Sequence, residues 1–538
     1  MQDKIKNLIN DALKNLGIEE NNFVVEHPED LKNGDYSTNV AMVCAKKLKM
    51  NPKDLAQKIT NELSLERAVL SKVEAVGGFI NFYLSQEFFV SSIEKIIKNP
   101  KFGENTNLAG KKFFIEHTQP NPFKEFHIGH LMNNAIGEAM VRIVKDSGAE
   151  VKVASYHGDK GLHVAKAIWG FLKEKNWQMS YALGAKAYEE GAEAKKEIED
   201  LNKKIYGEND EEINKIYAEG RKISFDYFES IYRKLDSHFD FHFYESEAGD
   251  IGKKLVLDNM GKVFEDSEGA VVFKGENFEP KTHTRVFLNS EKLPTYEAKE
   301  VGLAQIKKDK YKYDESLTIT ANEQDAFFKV VEVAIGEVFP ELKGKLKHIS
   351  HGMLRLPSGK MSSRTGDVIT AESLIETVKE KTKGDESVAI AAIKYMILRQ
   401  AIGGDIIFDI EKSVSTEGDS GPYLQYATVR ANSVLEKGKE ENLLPSTKVD
   451  DSWATIEIEK LLYKFPEVVL YSAQKYEPHH IVNYLTDLAR SYNSFYGNNK
   501  IIDKSDASSP YKLALTSAFA TVMRNGLYLL GIKVPEKM

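Results

Sequence analysis

A single cysteine, Cys44, stands in a chain of 538 residues, so neither an intramolecular disulfide nor a thiolate zinc site can form. Nowhere do about 18 uncharged apolar residues run together, as a membrane-spanning helix requires. The opening residues Met1 to Asn10 mix charged and apolar side chains and lack the apolar run of a signal peptide, which predicts a cytoplasmic protein of a reducing compartment. Proline (15) and glycine (36) are too few for a disordered or collagen-like chain. Positive charge is also short: 73 Lys and Arg face 81 Asp and Glu, a net of −8. Taken whole, that argues against a nucleic-acid partner. The deficit is local, however. Residues 181–280 hold 14 basic and 24 acidic side chains, and the remaining 438 residues carry 59 and 57. Where charge sits decides what a surface attracts, so the acidic segment is predicted to face away from any such partner.

At roughly 100–200 residues per domain, the length predicts about three domains. Residues 1–108 read as a small α/β module with helical patterns over 3–16, 38–49 and 53–63. Alternation from Val73 to Leu84 around Gly77-Gly78 predicts a strand pair, and 101–110 reads as a linker. Residues 109–385 open with the buried-strand pattern Lys112–Glu116, a loop holding Pro120 and Pro122, and apolar residues at helical spacing from His130 to Asp146, closed by Gly148. With the strand pattern Val151–Ala154, this makes a βαβ unit, the start of a Rossmann-type parallel sheet. The Glu/Lys-rich stretch 171–235 predicts solvated helices inserted into that domain, the acidic insertion extending to about 285. Residues 386–538 are patterned as an α-helical bundle. Its aromatics include Tyr463, Tyr471, Tyr476, Tyr484, Tyr492, Phe495 and Tyr496. Most are expected in the core, and a few could stack on nucleotide bases.

Two short motifs carry chemistry. His127-Ile-Gly-His130 falls between the first strand of the parallel sheet and the helix after it. Unpaired N–H groups and the positive dipole end of a helix favour phosphate there, Gly129 permits close approach, and two imidazoles can donate to phosphoryl oxygens. Without a His-Glu-x-x-His pattern, a zinc peptidase is not indicated, and no metal site is assigned. Lys360-Met-Ser-Ser-Arg364, after Pro357-Ser-Gly and before Thr365-Gly-Asp, is a loop whose lysine can meet the charge that grows as pyrophosphate leaves.

Together the two motifs resemble the signatures of class I aminoacyl-tRNA synthetases, and neighbouring residues narrow the resemblance to the arginyl-tRNA synthetase family. Glu116-His-Thr-Gln-Pro-Asn121-Pro, His351-Gly-Met-Leu-Arg-Leu-Pro, Gly421-Pro-Tyr-Leu-Gln-Tyr-Ala427, Tyr484-Leu-Thr-Asp-Leu-Ala-Arg490, Gly34-Asp-Tyr-Ser-Thr-Asn-Val-Ala41 and Gly78-Phe-Ile-Asn-Phe resemble family blocks in the same order. The resemblance implies a ligase that joins L-arginine to ATP as arginyl-adenylate and passes it to the 2′-hydroxyl of the terminal adenosine of tRNA(Arg), with Mg²⁺ accompanying ATP. It implies His127, His130 and Lys360 as catalytic residues. His127, Gly129, His130, Lys360, Met361, Ser362 and Ser363 would touch ATP, and Glu116, Asn121, Tyr296, Glu300 and Gln324 would hold arginine. The family's habit implies a monomer. At position 300 the family usually has Asp, so Glu300 carries the same charge on a longer stem. Lys160 and His163, in Gly158-Asp-Lys-Gly-Leu-His163, also depart from the family pattern. The alternatives are a class I synthetase for Glu, Gln or Lys, or a small-molecule nucleotidyltransferase with the His-x-Gly-His motif. The second is typically far shorter and lacks a helical RNA-binding tail.

Overall fold

The computed structural model describes all residues except 65, 356, 358–369 and 450–452. They form two compact units, each assembled from segments far apart in sequence. The first unit comprises Met1–Phe102, Arg430–Phe465 and Asp487–Met523. Its strands β1 (Val25–Glu26), β2 (Tyr36–Thr38), β3 (Leu70–Val76) and β4 (Phe79–Leu84) make an antiparallel sheet in the order β1-β2-β4-β3. Gly77 and Gly78 take φ of 62° and 102° in the turn that pairs Val76 with Phe79, a conformation that glycine reaches without penalty. The helices at Gln2–Asn15, Val40–Leu48 and Pro52–Glu62 match the periodic stretches of the sequence. The last is capped by the Asn51 side chain, with proline at the first turn. Their apolar faces meet in one core, with Ile5, Ile9, Leu55, Ile59, Phe82 and Phe89 fully enclosed. Tyr463, some 370 residues further along, completes it with its ring 5.7 Å from that of Phe89 and 5.4 Å from Phe88.

The second unit comprises Gly103–Val429, Pro466–Thr486 and Arg524–Met538. At its centre lies an all-parallel sheet of β5 (Lys112–Glu116), β6 (Glu150–His157), β7 (Phe241–Tyr244), β11 (Glu315–Ala321) and β12 (Leu346–His351), in the order β12-β11-β5-β6-β7. Parallel strands covered on both faces need continuous apolar runs, and Phe113-Phe114-Ile115 supplies one at the sheet centre, with none of the three more than 1% exposed. Between β5 and β6 runs the helix Ile128–Asp146, buried over most of its length. Between β6 and β7 stand the helices Leu162–Glu174, Trp177–Glu190, Ala192–Gly207 and Glu211–Leu235.

The insertion is shorter than the sequence pattern suggested. Phe241–Tyr244, inside the stretch 171–285, is the edge strand of the main sheet, paired with Ala154–His157. Four residues are too short to announce a strand, and only the partner strand defines it. Beyond it, β8 (Glu265–Ser267), β9 (Ala270–Phe273) and β10 (Arg285–Leu288) form an antiparallel sheet in the order β10-β9-β8. β13 (Leu354–Arg355) and β14 (Ile406–Ile407) pair as a two-stranded parallel ribbon, its second strand lying among the helices that follow.

Two close contacts organise this unit. The helices Glu245–Asp258 and Tyr296–Lys310 cross at glycines: a Cβ on Gly252 would lie 1.9 Å from the Ala298 carbonyl oxygen, and one on Gly302 2.0 Å from that of Ala248. The backbones therefore touch, and Glu245 is brought beside the second helix, where it pairs with Lys299 at 2.6 Å. The other contact is made by Lys394, 1% exposed in the helix Glu386–Leu398, whose Nζ donates to the carbonyls of Leu235 and Gly531 at 2.7 Å each. Burial brings its pKa down to about 7.

Candidate active site

Strand order reverses between β5 and β11, with β6 and β7 on one side and β12 on the other. In open α/β sheets ligands bind at such a reversal, outside the carboxyl ends of the strands. The residues at those ends are Glu116 on β5, His157 on β6 with Gly158-Asp159 after it, Asn322–Gln324 after β11 and His351 on β12.

Glu116 is 1% exposed and pairs with Lys307 Nζ at 2.5 Å, while Gln119 Nε2 donates to its other oxygen at 2.7 Å. Thr118 and Gln119 both take positive φ, 76° and 53°, which turns the chain sharply after the strand. Asn121, at the end of that turn, accepts from Gly158 N at 3.0 Å and ties the loop after β5 to the loop after β6. Asp159 is buried and fully engaged: Ser246 donates to it through N (3.0 Å) and Oγ (2.7 Å), and Tyr217 through its hydroxyl (3.2 Å). Glu300 sits on the Tyr296–Lys310 helix, two turns before Lys307. Burial first, and then the charge of Glu116, pushes its carboxyl up to about 8, against the opposing pull of Lys307. Glu245 and Glu297 add to the upward shift. Glu245, paired with Lys299, and Glu297, paired with Arg285, add their carboxylates to this end of the sheet.

The histidine pair occupies the start of the Ile128–Asp146 helix. His127 is the N-cap; Gly129 N donates to its Nδ1 at 3.0 Å, and His127 N donates to Nδ1 of His130 at 3.2 Å. The rings stack with centroids 3.5 Å apart. Burial holds both imidazoles below their ordinary pKa, His130 well below. A neutral ring that accepts at Nδ1 carries its proton on Nε2. Both histidines thus present an Nε2–H donor, beside a helix terminus that favours anions. A chain of contacts links this helix to the carboxylate pocket: Asn133 Nδ2 donates to Gln119 Oε1 at 3.4 Å, and Asn133 Oδ1 meets His351 Nε2 at 2.5 Å.

Of the sequence-derived candidates, the structure gathers Glu116, Asn121 and Glu300 around the strand ends, and His127, Gly129 and His130 at the helix start. Tyr296 begins its helix 67% exposed, with Lys299 Nζ 4.9 Å from its ring centroid. Gln324 stands exposed on the short turn after β11. Lys360, Met361, Ser362 and Ser363 lie outside the described residues; His127 forms a backbone bridge with Thr370, the first described residue after them. Lys160 turns to Glu208, 2.6 Å away, and His163 Nε2 meets the Gly158 carbonyl at 2.8 Å. Sequence reasoning missed Lys307, Glu245 and Lys299. The seven-residue spacing of Glu300 and Lys307 puts them on one helix face and was the available signal.

The buried histidines also make stability depend on pH. Burial lowers His117 and His157 to about 3, and His163 and His348 to about 4. In the unfolded chain such groups gain a proton near pH 6.5, before the folded ones do, so stability present above that pH is lost as pH falls. Glu300, raised by burial, opposes them as one group against four, so urea unfolding midpoints are expected to drop as pH falls from 6.5 to 4. A flat profile over that range would mean that these rings are protonated in the fold.

The parallel sheet, the histidine-capped helix after its first strand and the carboxylate pocket at the strand reversal define a class I synthetase catalytic domain, and the comparisons agree. Residues 92–410 match the model of the class I (R) tRNA synthetase catalytic domain, residues 3–84 the arginyl tRNA synthetase N-terminal domain, and residues 424–538 the DALR anticodon binding domain. The chain therefore belongs to the class I arginyl-tRNA synthetase family, and its function is arginine activation and tRNA charging. It is 28% identical over 585 residues to the arginine–tRNA ligase of Borrelia turicatae (strain 91E135), covering 99% of each. Its fold matches Thermus thermophilus arginyl-tRNA synthetase with a TM-score of 0.82 at 23% identity, over all of both chains. The Plasmodium falciparum enzyme follows at 0.79 and 20%, with 100% and 99% covered.

Proposed function

We propose that arginine enters with its guanidinium between Glu116 and Glu300, and that Asn121, Tyr296 and Gln324 fix the rest of the molecule. ATP lies along the start of the Ile128–Asp146 helix, its phosphates meeting the Nε2–H groups of His127 and His130 over Gly129. The arginine carboxylate is already a nucleophile, so the chain supplies alignment and charge stabilisation rather than a covalent partner. Lys360, with Met361, Ser362 and Ser363, meets the charge on the phosphates as pyrophosphate leaves, and Mg²⁺ would accompany ATP. The arginyl group then moves to the 2′-hydroxyl of the terminal adenosine of tRNA(Arg). In this reading residues 1–108 contact tRNA, 109–385 hold the chemistry, 386–538 read the anticodon, and one cytoplasmic monomer does all three.

The observation that carries it is the buried Glu116 with Glu300 beside it, next to two neutral imidazoles at a helix start. Lysine, with a compact ammonium in place of a planar fork, would leave hydrogen-bond acceptors unpaired, and such sites discriminate by about 10⁴–10⁵. Aminoacylation with each of the 20 amino acids is the test. Arginine alone is expected to label tRNA, and efficient charging with any other would overturn the assignment.

A further inference from the structure

Away from the strand ends, one corner of the second unit gathers three metal-binding side chains. Tyr476 follows the helix Phe465–Lys475 in left-handed backbone, φ 58°, and Glu477-Pro478 leads into the helix His479–Asn498. Among the described residues, Glu477, His479 and His480 form the one group of His, Cys, Asp or Glu side chains in which three donor atoms all lie within 4.8 Å of one another. We propose that these three residues bind Zn²⁺, which pins the corner between the two helices. The proposal does not depend on the arginine reading of the strand ends.

The donor set selects the ion. Two imidazole nitrogens and one carboxylate oxygen suit Zn²⁺, whose bonds of about 2.0–2.2 Å set tetrahedral ligands roughly 3.3 Å apart. Mg²⁺ and Ca²⁺ call for oxygen ligands instead. His480 Nε2 already stands 2.7 Å from a Glu477 oxygen, and the His479 and His480 ring centroids are 3.9 Å apart. Shifts of roughly 1–1.5 Å at the side-chain ends therefore close all three donors on one centre, with a fourth position open to water.

A second observation points to a ligand. Nδ1 of His479 is enclosed and has no hydrogen-bond partner among the described residues, a state that costs stability unless something satisfies the atom. An ion, or the water upon it, supplies that partner. A hydrogen bond between His480 and Glu477 alone accounts for their contact and leaves His479 unexplained. The backbone is fixed in advance: Glu477 N donates to the Ser472 carbonyl at 3.1 Å, Ser472 Oγ donates to the Glu477 carbonyl at 2.6 Å, and Pro478 restricts φ at the helix start. Tyr471 meets the His480 ring edge to face at 4.7 Å, and the Tyr476 hydroxyl donates to Glu315 on β11 at 2.7 Å. Little ordering is then left for the ion to impose. Two other histidine pairs come as close, His127 with His130 (centroids 3.5 Å) and His157 Nε2 with His242 Nδ1 (3.0 Å). Neither belongs to a set of three donors among the described residues, but the test must separate them.

Calorimetric titration of the full, untagged chain with zinc chloride, after metal is stripped with a chelator that is then removed, tests this. One ion per chain is expected, with a dissociation constant in the micromolar range. His479→Asn and His480→Asn should each weaken binding by roughly 10–100-fold or more. Glu477→His, which offers a third imidazole, should keep the site, and His127→Asn should bind as the unaltered chain does. With Cu²⁺ as the probe, electron paramagnetic resonance should show coupling to two nitrogens, and to one in either single variant at 479 or 480. Saturating zinc should raise the unfolding temperature of the unaltered chain and not that of the double variant His479→Asn with His480→Asn. No binding by the unaltered chain would overturn the proposal. So would binding that survives the double variant, binding lost in His127→Asn, or nitrogen coupling unchanged in the single variants.

Discussion

Glu116→Ala is expected to cripple the chain twice over. Removing one partner of a buried ion pair leaves the other charge uncompensated at a cost of about 3–5 kcal/mol, here the ammonium of Lys307 on the helix Tyr296–Lys310. The same change deletes one of the two carboxylates proposed to hold the guanidinium, so kcat/KM for arginine activation should fall by roughly 10³-fold or more. The two effects separate in the double variant Glu116→Leu with Lys307→Met, which replaces the pair by apolar side chains of similar size. Such replacements are commonly neutral or stabilising. Urea unfolding should recover in the double variant, while arginine-dependent ATP–pyrophosphate exchange stays at background. A double variant as unstable as Glu116→Ala would show that the stability loss has another source.

Lys360→Ala should slow arginyl-adenylate formation by roughly 10²–10³-fold, the usual loss when one donor to a developing charge is removed. Its effect should fall on kcat for pyrophosphate exchange, with the KM for arginine little changed, because in the proposed role the lysine meets charge that exists only as pyrophosphate departs. Transfer from preformed arginyl-adenylate to tRNA should be nearly untouched, since no pyrophosphate leaves in that step. Equal slowing of both steps would place Lys360 outside this role. Arg364 and the serines between belong to the same motif, and Lys360→Arg tests whether charge alone suffices.

Local pattern carried the elements that are built locally. The Gly77-Gly78 hairpin, the three helices of the first 62 residues and the helix beginning at the histidine motif each announce themselves by period and by punctuation at their ends. So did the parallel sheet, whose opening βαβ unit has the right lengths. The edge strand Phe241–Tyr244, the three short strands between Glu265 and Leu288, and the helix Gln86–Lys98 were not read, the strands because runs of three or four residues acquire meaning from their partners. The C-terminal aromatics divided as their pattern suggested. Tyr463, Tyr484, Tyr492 and Phe495 are buried, while Tyr471 and Tyr496 stand 46% and 40% exposed, the latter beneath the Arg430 guanidinium at 4.9 Å. In the site, the resemblance supplied names for Glu116 and Glu300, but their charge balance hangs on Lys307, whose importance appears only when helix and strand are brought together.

The lysine at position 394 has a consequence for how the protein is made. Its Nζ donates to two carbonyls, and the second, that of Gly531, is translated 137 residues after it. The sheet, the histidine pair and the carboxylates at the strand ends all emerge from the ribosome well before that carbonyl exists. Until Gly531 arrives, the enclosed Lys394 amine lacks one of its two acceptors. A chain ending before Gly531 would hold every proposed catalytic side chain yet lack one of the two acceptors of Lys394, and is expected to unfold at lower urea than the full chain.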